Sequence, residues 1–200
     1  MKKIQLISLG ITAIFVLGFV GTANIAAYGV APNQTVSKVA VVYSTGGLGD
    51  NSFNDAAKAG ITAALATHGD SLTVDEACTS GCDVAAISAA LLEYGADESY
   101  DLVIGIGFSA ADGVNTAALQ NKTNFMIIDS VVALDNVASV TFKEHEGSFL
   151  AGALAAMVTT TKKLGFLGGL DIPLINKFGA GFEHGAKYID STISVTVAYS

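Results

Sequence analysis

The chain has 200 residues, 51% of them hydrophobic, enough for one large domain or two small ones with a real core. Its basic residues are ten lysines and no arginine, set against eighteen acids, for a formal net charge of −8. Such a surface speaks against a nucleic-acid groove, which needs clustered positive charge, and the lack of arginine speaks against a bidentate phosphate clamp.

Reading from the N-terminus, Met1-Lys2-Lys3 is a positive start, and residues 4–30 carry no charge. The densest apolar part, residues 7–20, has the length of an export-signal core, and Gly21-Thr22-Ala23 offers small residues for cleavage. An uncleaved anchor fits the same run, which is long enough to cross a bilayer as a helix. Residues 1–30 are therefore expected to be a signal peptide or membrane anchor, and 31–37 a polar linker. Under either reading the rest is extracytoplasmic, in contact with the membrane only through an uncleaved N-terminal segment. No cysteine lies near the leader, which argues against a bacterial lipid anchor.

Beyond the linker, strands and helices alternate. Apolar runs predict strands at 39–44, 72–76, 102–106, 125–129, 137–142, 164–167 and 193–198. Helices are predicted at 53–68, 83–94, 111–119, 147–160 and 175–188. In the first helix Ala56, Ala57, Gly60, Ile61, Ala64 and Leu65 recur at helical spacing. The second opens on Asp83, a candidate N-cap. This alternation implies an α/β fold with parallel sheet, and the uniformly apolar strands fit a sheet covered on both faces. A break near Thr141 divides an N-terminal α/β lobe, 38–140, from a second lobe, 141–200. The second holds only two strands and two helices, so it is expected to be partial.

Three strand-to-helix loops could carry chemistry. In Ser44-Thr-Gly-Gly-Leu-Gly-Asp-Asn-Ser-Phe-Asn54, Gly46 and Gly47 let backbone approach a ligand, and Phe53 could present its ring to a cleft. On local features alone, Asp50 or Ser52 could equally be a helix cap and Phe53 a core residue. In Asp101-Leu-Val-Ile-Gly-Ile-Gly-Phe-Ser-Ala110, the residues Gly105, Gly107 and Ala110 satisfy G-x-G-x-x-A, and Asp129 ends the next strand. Those are ingredients of a dinucleotide-binding oxidoreductase, although Phe108 and Ser109 add bulk where a pyrophosphate would approach. In Gly165-Phe-Leu-Gly-Gly-Leu-Asp-Ile-Pro173, Asp171 sits in its loop as Asp50 does in the first.

Cys78 and Cys82 are the only cysteines, spaced for a small disulfide loop, with two free thiols as the alternative. His68, His145 and His184 are scattered, and no catalytic constellation or metal motif appears. The chain is expected not to be an enzyme and to need no cofactor.

Several of these segments resemble the basic membrane protein family, which includes the purine nucleoside receptors of ABC importers. Residues 44–55 are similar to its first binding loop. Ile104-Gly-Ile-Gly-Phe108 and Phe125-Met-Ile-Ile-Asp-Ser130 are similar to its next two strand ends. The segments 140–152, 164–173 and Phe178-Gly-Ala-Gly-Phe182 follow in the family's order. The resemblance implies a type I periplasmic-binding-protein fold, two Rossmann-like lobes with parallel sheets that close over a nucleoside-like or sugar-like solute, the second lobe here truncated. It implies an extracytoplasmic receptor that delivers its solute to an ABC permease and ATPase, or a membrane-tethered sensor of the same fold. Carried over by position, Phe53 would stack on the base and Asp129 would accept hydrogen bonds. Ser44, Gly46, Gly47, Phe108 and Asp171 would complete the ligand-binding set together with Asp50 and Asn54, which would shape the loop, with direct contact to the ligand as the alternative. Ser44 stands where nucleoside receptors of the family often carry Asp, a departure that bears on base preference.

Overall fold

The computed structural model describes residues 37–200. The leader and nearly all of the linker expected from the sequence lie outside those residues. The described chain divides between Thr141 and Phe142 into two units.

The first unit runs β1 (Ser37–Val42), α1 (Phe53–His68), β2 (Leu72–Ala77), α2 (Val84–Ala96), β3 (Leu102–Ile106), α3 (Ala111–Gln120), β4 (Asn124–Ile128) and β5 (Val137–Val140). The strands form one parallel sheet in the order β2-β1-β3-β4-β5. Val42 pairs with Gly105 and Gly105 with Ile127, so β1, β3 and β4 end level along one edge.

The period of two along each strand sorts side chains to two cores. Ala40, Val42, Val103, Phe125 and Ile127 pack with Ile87, Leu91 and Val114 of α2 and α3. Val41, Tyr43, Leu102, Ile104, Met126 and Ile128 pack with Ile61 of α1. Both faces are covered, which is why these strands read as unbroken apolar runs. Asp83 caps α2, its carboxylate accepting the Ala86 amide at 2.7 Å.

The second unit holds α4 (Glu144–Val158), β6 (Lys163–Gly168), α5 (Pro173–Ile189) and β7 (Ser194–Tyr199). β6 and β7 pair in parallel, Lys163 with Ser194 through Gly168 with Tyr199. Helix α4 starts three residues earlier than its apolar pattern predicted. Glu144 and Glu146 sit in its first turn, where the helix dipole favours negative charge. The two helices touch through glycines: a Cβ on Gly152 would run into the Phe182 carbonyl, and one on Gly185 into that of Phe149. Gly181 and Gly185, four apart on α5, were the sequence signal for this close approach, and helical periodicity of apolar residues does not reveal it.

Candidate functional site

Strand order reverses between β1 and β3: the chain passes from β1 outward to β2, then back across to β3 and on to β4 and β5. At such a switch point the loops leaving the strands diverge and open a crevice at their C-terminal ends. Ser44 lies two residues past β1, Phe108 two past β3, and Asp129 directly past β4. Phe53 is the first residue of α1, which starts at the same edge. The fold thus gathers Ser44, Phe53, Phe108 and Asp129, which are far apart in sequence, along one edge of the sheet.

The first loop is held by its own side chains. Asn54 is fully buried. Its Oδ1 accepts from the Ser44 amide at 2.9 Å and from the Ser44 hydroxyl at 3.1 Å, while its Nδ2 donates to the Gly47 carbonyl at 2.9 Å. Asp50 accepts from the amides of Ser52 at 2.8 Å, Asn54 at 3.1 Å and Asp55 at 3.2 Å. It therefore does the work of a cap for α1, whose N-cap residue Ser52 makes no side-chain cap bond. Desolvation pushes the Asp50 carboxyl upward, but the amides of Ser52, Asn54 and Asp55 outweigh it and hold the group below its ordinary value. Asp55 accepts the amides of Gly49 at 2.7 Å and Asn51 at 2.8 Å. Sequence reasoning missed this clasp because a carboxylate reaching back four to six residues has no fixed motif.

The glycines divide by role. Gly47 is buried at φ 65°, and Gly107 at φ 80° lets the turn after β3 pass Ser44, whose Cβ would stand 3.2 Å from an added Cβ. Gly46 is exposed and has room for a side chain. Behind the loop, the Tyr43 hydroxyl donates to Glu76 at 2.6 Å, and Lys58 of α1 pairs with the same carboxylate at 2.5 Å. Burial, with the bond to Glu76, pushes the Tyr43 phenol well above its ordinary range.

Two rings face outward: Phe53 is 41% exposed and Phe108 40%. Asp129 is only 8% exposed and sits in the left-handed region at φ 67°, its amide donating to the Val140 carbonyl at 2.8 Å. Strained backbone of this kind gathers at ligand sites. Asp171 belongs to the second unit, where it follows β6, is exposed, and accepts from Asn176 Nδ2 at 3.1 Å. Asn176 in turn accepts from the Tyr199 hydroxyl at 2.5 Å. Unlike Asp50, Asp171 does not cap the helix that follows it.

The G-x-G-x-x-A pattern has a packing explanation. A Cβ on Gly105 would lie 2.9 Å from Val114 Cγ2 and 3.0 Å from Ala110 Cβ, so this glycine seats α3 on β3. A 3-10 turn at Phe108–Ala110 separates β3 from α3, so the second glycine does not open directly into the helix. This arrangement gives the oxidoreductase reading no support. Cys78 and Cys82 are joined in a disulfide.

A family model described as "ABC transporter substrate-binding protein PnrA-like" matches residues 36–200. The chain is 35% identical over 173 residues to the "ABC transporter nucleoside-binding protein BmpA" of Lactococcus lactis, an alignment covering 84% of this chain and 48% of that protein. It is 32% identical over 169 residues to "Basic membrane protein A" of Borreliella burgdorferi, covering 82% and 48%. The chain spans about half the length of these relatives. Among solved structures, a solute-binding protein of an ABC transporter system from Aeropyrum pernix superposes with a TM-score of 0.67 at 26% identity, covering 82% of this chain and 47% of that one. A leucine-binding protein of Thermotoga maritima superposes at 0.57 with 16% identity, covering 82% and 49%, a likeness of fold alone. The α/β fold with parallel sheets is that of the type I periplasmic-binding proteins.

Proposed function

Because this chain belongs to the Bmp family of PnrA-like ABC transporter substrate-binding proteins, we propose that it captures a nucleoside outside the cytoplasm for an ABC importer. The family is one of substrate-binding proteins rather than enzymes. The observation that carries the reading is the exposed Phe53 ring at the start of α1, on the same sheet edge as Ser44, Phe108 and Asp129.

In this reading Phe53 stacks on the base, since an aromatic face suits any planar ring. The Asp129 carboxylate accepts hydrogen bonds from the base or sugar, and Phe108 closes the apolar side. Ser44 gives the loop a neutral hydroxyl whose proton is directed to Asn54. Asp50 and Asn54 act through the loop rather than on the ligand, because their polar atoms are engaged with its amides and carbonyls. Permease and ATPase subunits are the partners that such a receptor would serve. The disulfide suits an oxidising, extracytoplasmic setting.

Thermal melting against a panel of nucleosides and sugars tests the proposal, run on this chain with and without residues 1–30. A ligand at one hundred times its dissociation constant adds about 2.7 kcal/mol of stability, so a clear upward shift is expected with at least one nucleoside. No shift with any nucleoside, in either form, would overturn it.

A further inference from the structure

The loop that carries Ser44 and Phe53 leans on a second loop to which the proposed binding role gives no part. Cys78 and Cys82 lie between β2 and α2 and close a short disulfide ring. The ring offers its backbone to the first loop. The Leu48 amide donates to the Thr79 carbonyl at 2.8 Å. Gly47 and Gly81 meet backbone to backbone: a Cβ on Gly47 would run into the Gly81 amide, and one on Gly81 would stand 2.8 Å from the Thr45 carbonyl oxygen. Gly81 has φ 85° and Cys78 φ 60°, the latter a left-handed conformation that a residue with a side chain keeps only when its surroundings impose it. The ring is also rooted in the fold. Cys78 packs against the apolar clusters on both faces of the sheet, and Cys82 against one of them.

A ring this short removes less chain entropy from the unfolded state than a long one does. Its effect is therefore concentrated locally, on where the Thr79 carbonyl and the Gly81 amide stand. We infer that the Cys78–Cys82 disulfide is a positioning strut: it fixes the surface on which residues 45–48 pack and so holds Ser44 and Phe53 in a ligand-ready arrangement. Neither cysteine touches the ligand. The inference rests on the reading of residues 44–54 as a binding loop.

Amide hydrogen exchange on the intact chain tests it, with Leu48 as reporter and the buried strand residues Val103 and Ile127 as controls. In the double variant Cys78→Ser, Cys82→Ser, exchange at Leu48 is expected to quicken at least tenfold while the controls hold. Affinity for the nucleoside that stabilises the native protein is expected to fall at least fivefold. Gly81→Ala keeps both cysteines but breaks the backbone contact, and it should loosen Leu48 in the same way. If the serine variant fails to fold, exchange at Leu48 in the native protein with and without a thiol reductant decides. Unchanged Leu48 exchange overturns the inference. Equal loss of protection at Leu48, Val103 and Ile127 also overturns it, since the ring would then be a determinant of the whole fold. If no nucleoside binds the native protein, the receptor reading fails, and the exchange data still decide the strut.

Discussion

Asn54 and Phe53 are neighbours with opposite duties. The Asn54 amide is spent inside the loop, on Ser44 and Gly47, and the residue has no exposure. Asn54→Ala would leave the Ser44 amide and the Gly47 carbonyl unpaired beside a void. We expect a loss of about 1–3 kcal/mol in urea unfolding. Phe53 is 41% exposed at the first position of α1. Phe53→Ala should cost about 1–2 kcal/mol of stability, because more than half of the residue is covered. It should weaken nucleoside binding about tenfold, base–aromatic stacking being worth roughly 1–3 kcal/mol. Calorimetric titration and unfolding of the same variant separate the two effects. A Phe53→Ala protein with undiminished affinity would remove the stacking role.

At the level of elements, both N-terminal helices of the first unit are started by aspartates, in different ways. Asp83 is a conventional N-cap that accepts the Ala86 amide, and Asp83→Ala should cost about 1 kcal/mol in equilibrium unfolding. Asp50 stands two residues before the N-cap and gathers three amides. Those bonds depress its carboxyl below the ordinary value, as Lys58 and Tyr43 do for Glu76 against the opposing effect of desolvation. A carboxyl depressed in the folded state binds fewer protons there than in the unfolded chain. Its stabilisation is complete above the unfolded value of about 4 and is lost as pH falls through the lower folded value. Acid titration followed by circular dichroism should therefore show stability falling below about pH 4, with a shallower fall in Asp50→Asn. An identical acid slope in the two proteins would show that the Asp50 bonds do not persist in solution.

Over the whole molecule, the two units differ in how well they cover their apolar surface. The first has a five-stranded sheet with helices on both faces. In the second, Leu150, Leu154 and Met157 of α4 are exposed and lie at i, i+4 and i+7, which makes them a single stripe, and Leu167 of β6 is exposed as well. A stripe of this kind attracts apolar probes. We expect the 200-residue chain to bind an anilinonaphthalene dye under native conditions, and Leu150→Glu with Leu154→Glu to reduce that signal at least twofold without altering the exchange of Val103 or Ile127. An unchanged signal would place the dye elsewhere. The order of elements along the chain was legible from sequence, and α1 and β3 fell on their predicted bounds, because burial on a helix or strand leaves a local period in the residues themselves. The composition of the first loop was legible too: its glycines, its acids and its aromatic ring stand together in one run. Which of those residues support the loop and which face outward was decided only by tertiary structure. That division depends on Asn54 reaching back to Ser44, on Asp55 closing over Gly49, and on a disulfide ring thirty residues downstream packing against Gly47. The first two are bonds within the loop that follow no fixed motif, while the contact with the ring is set by how the strands are ordered in the sheet, and no periodicity within either segment records that order.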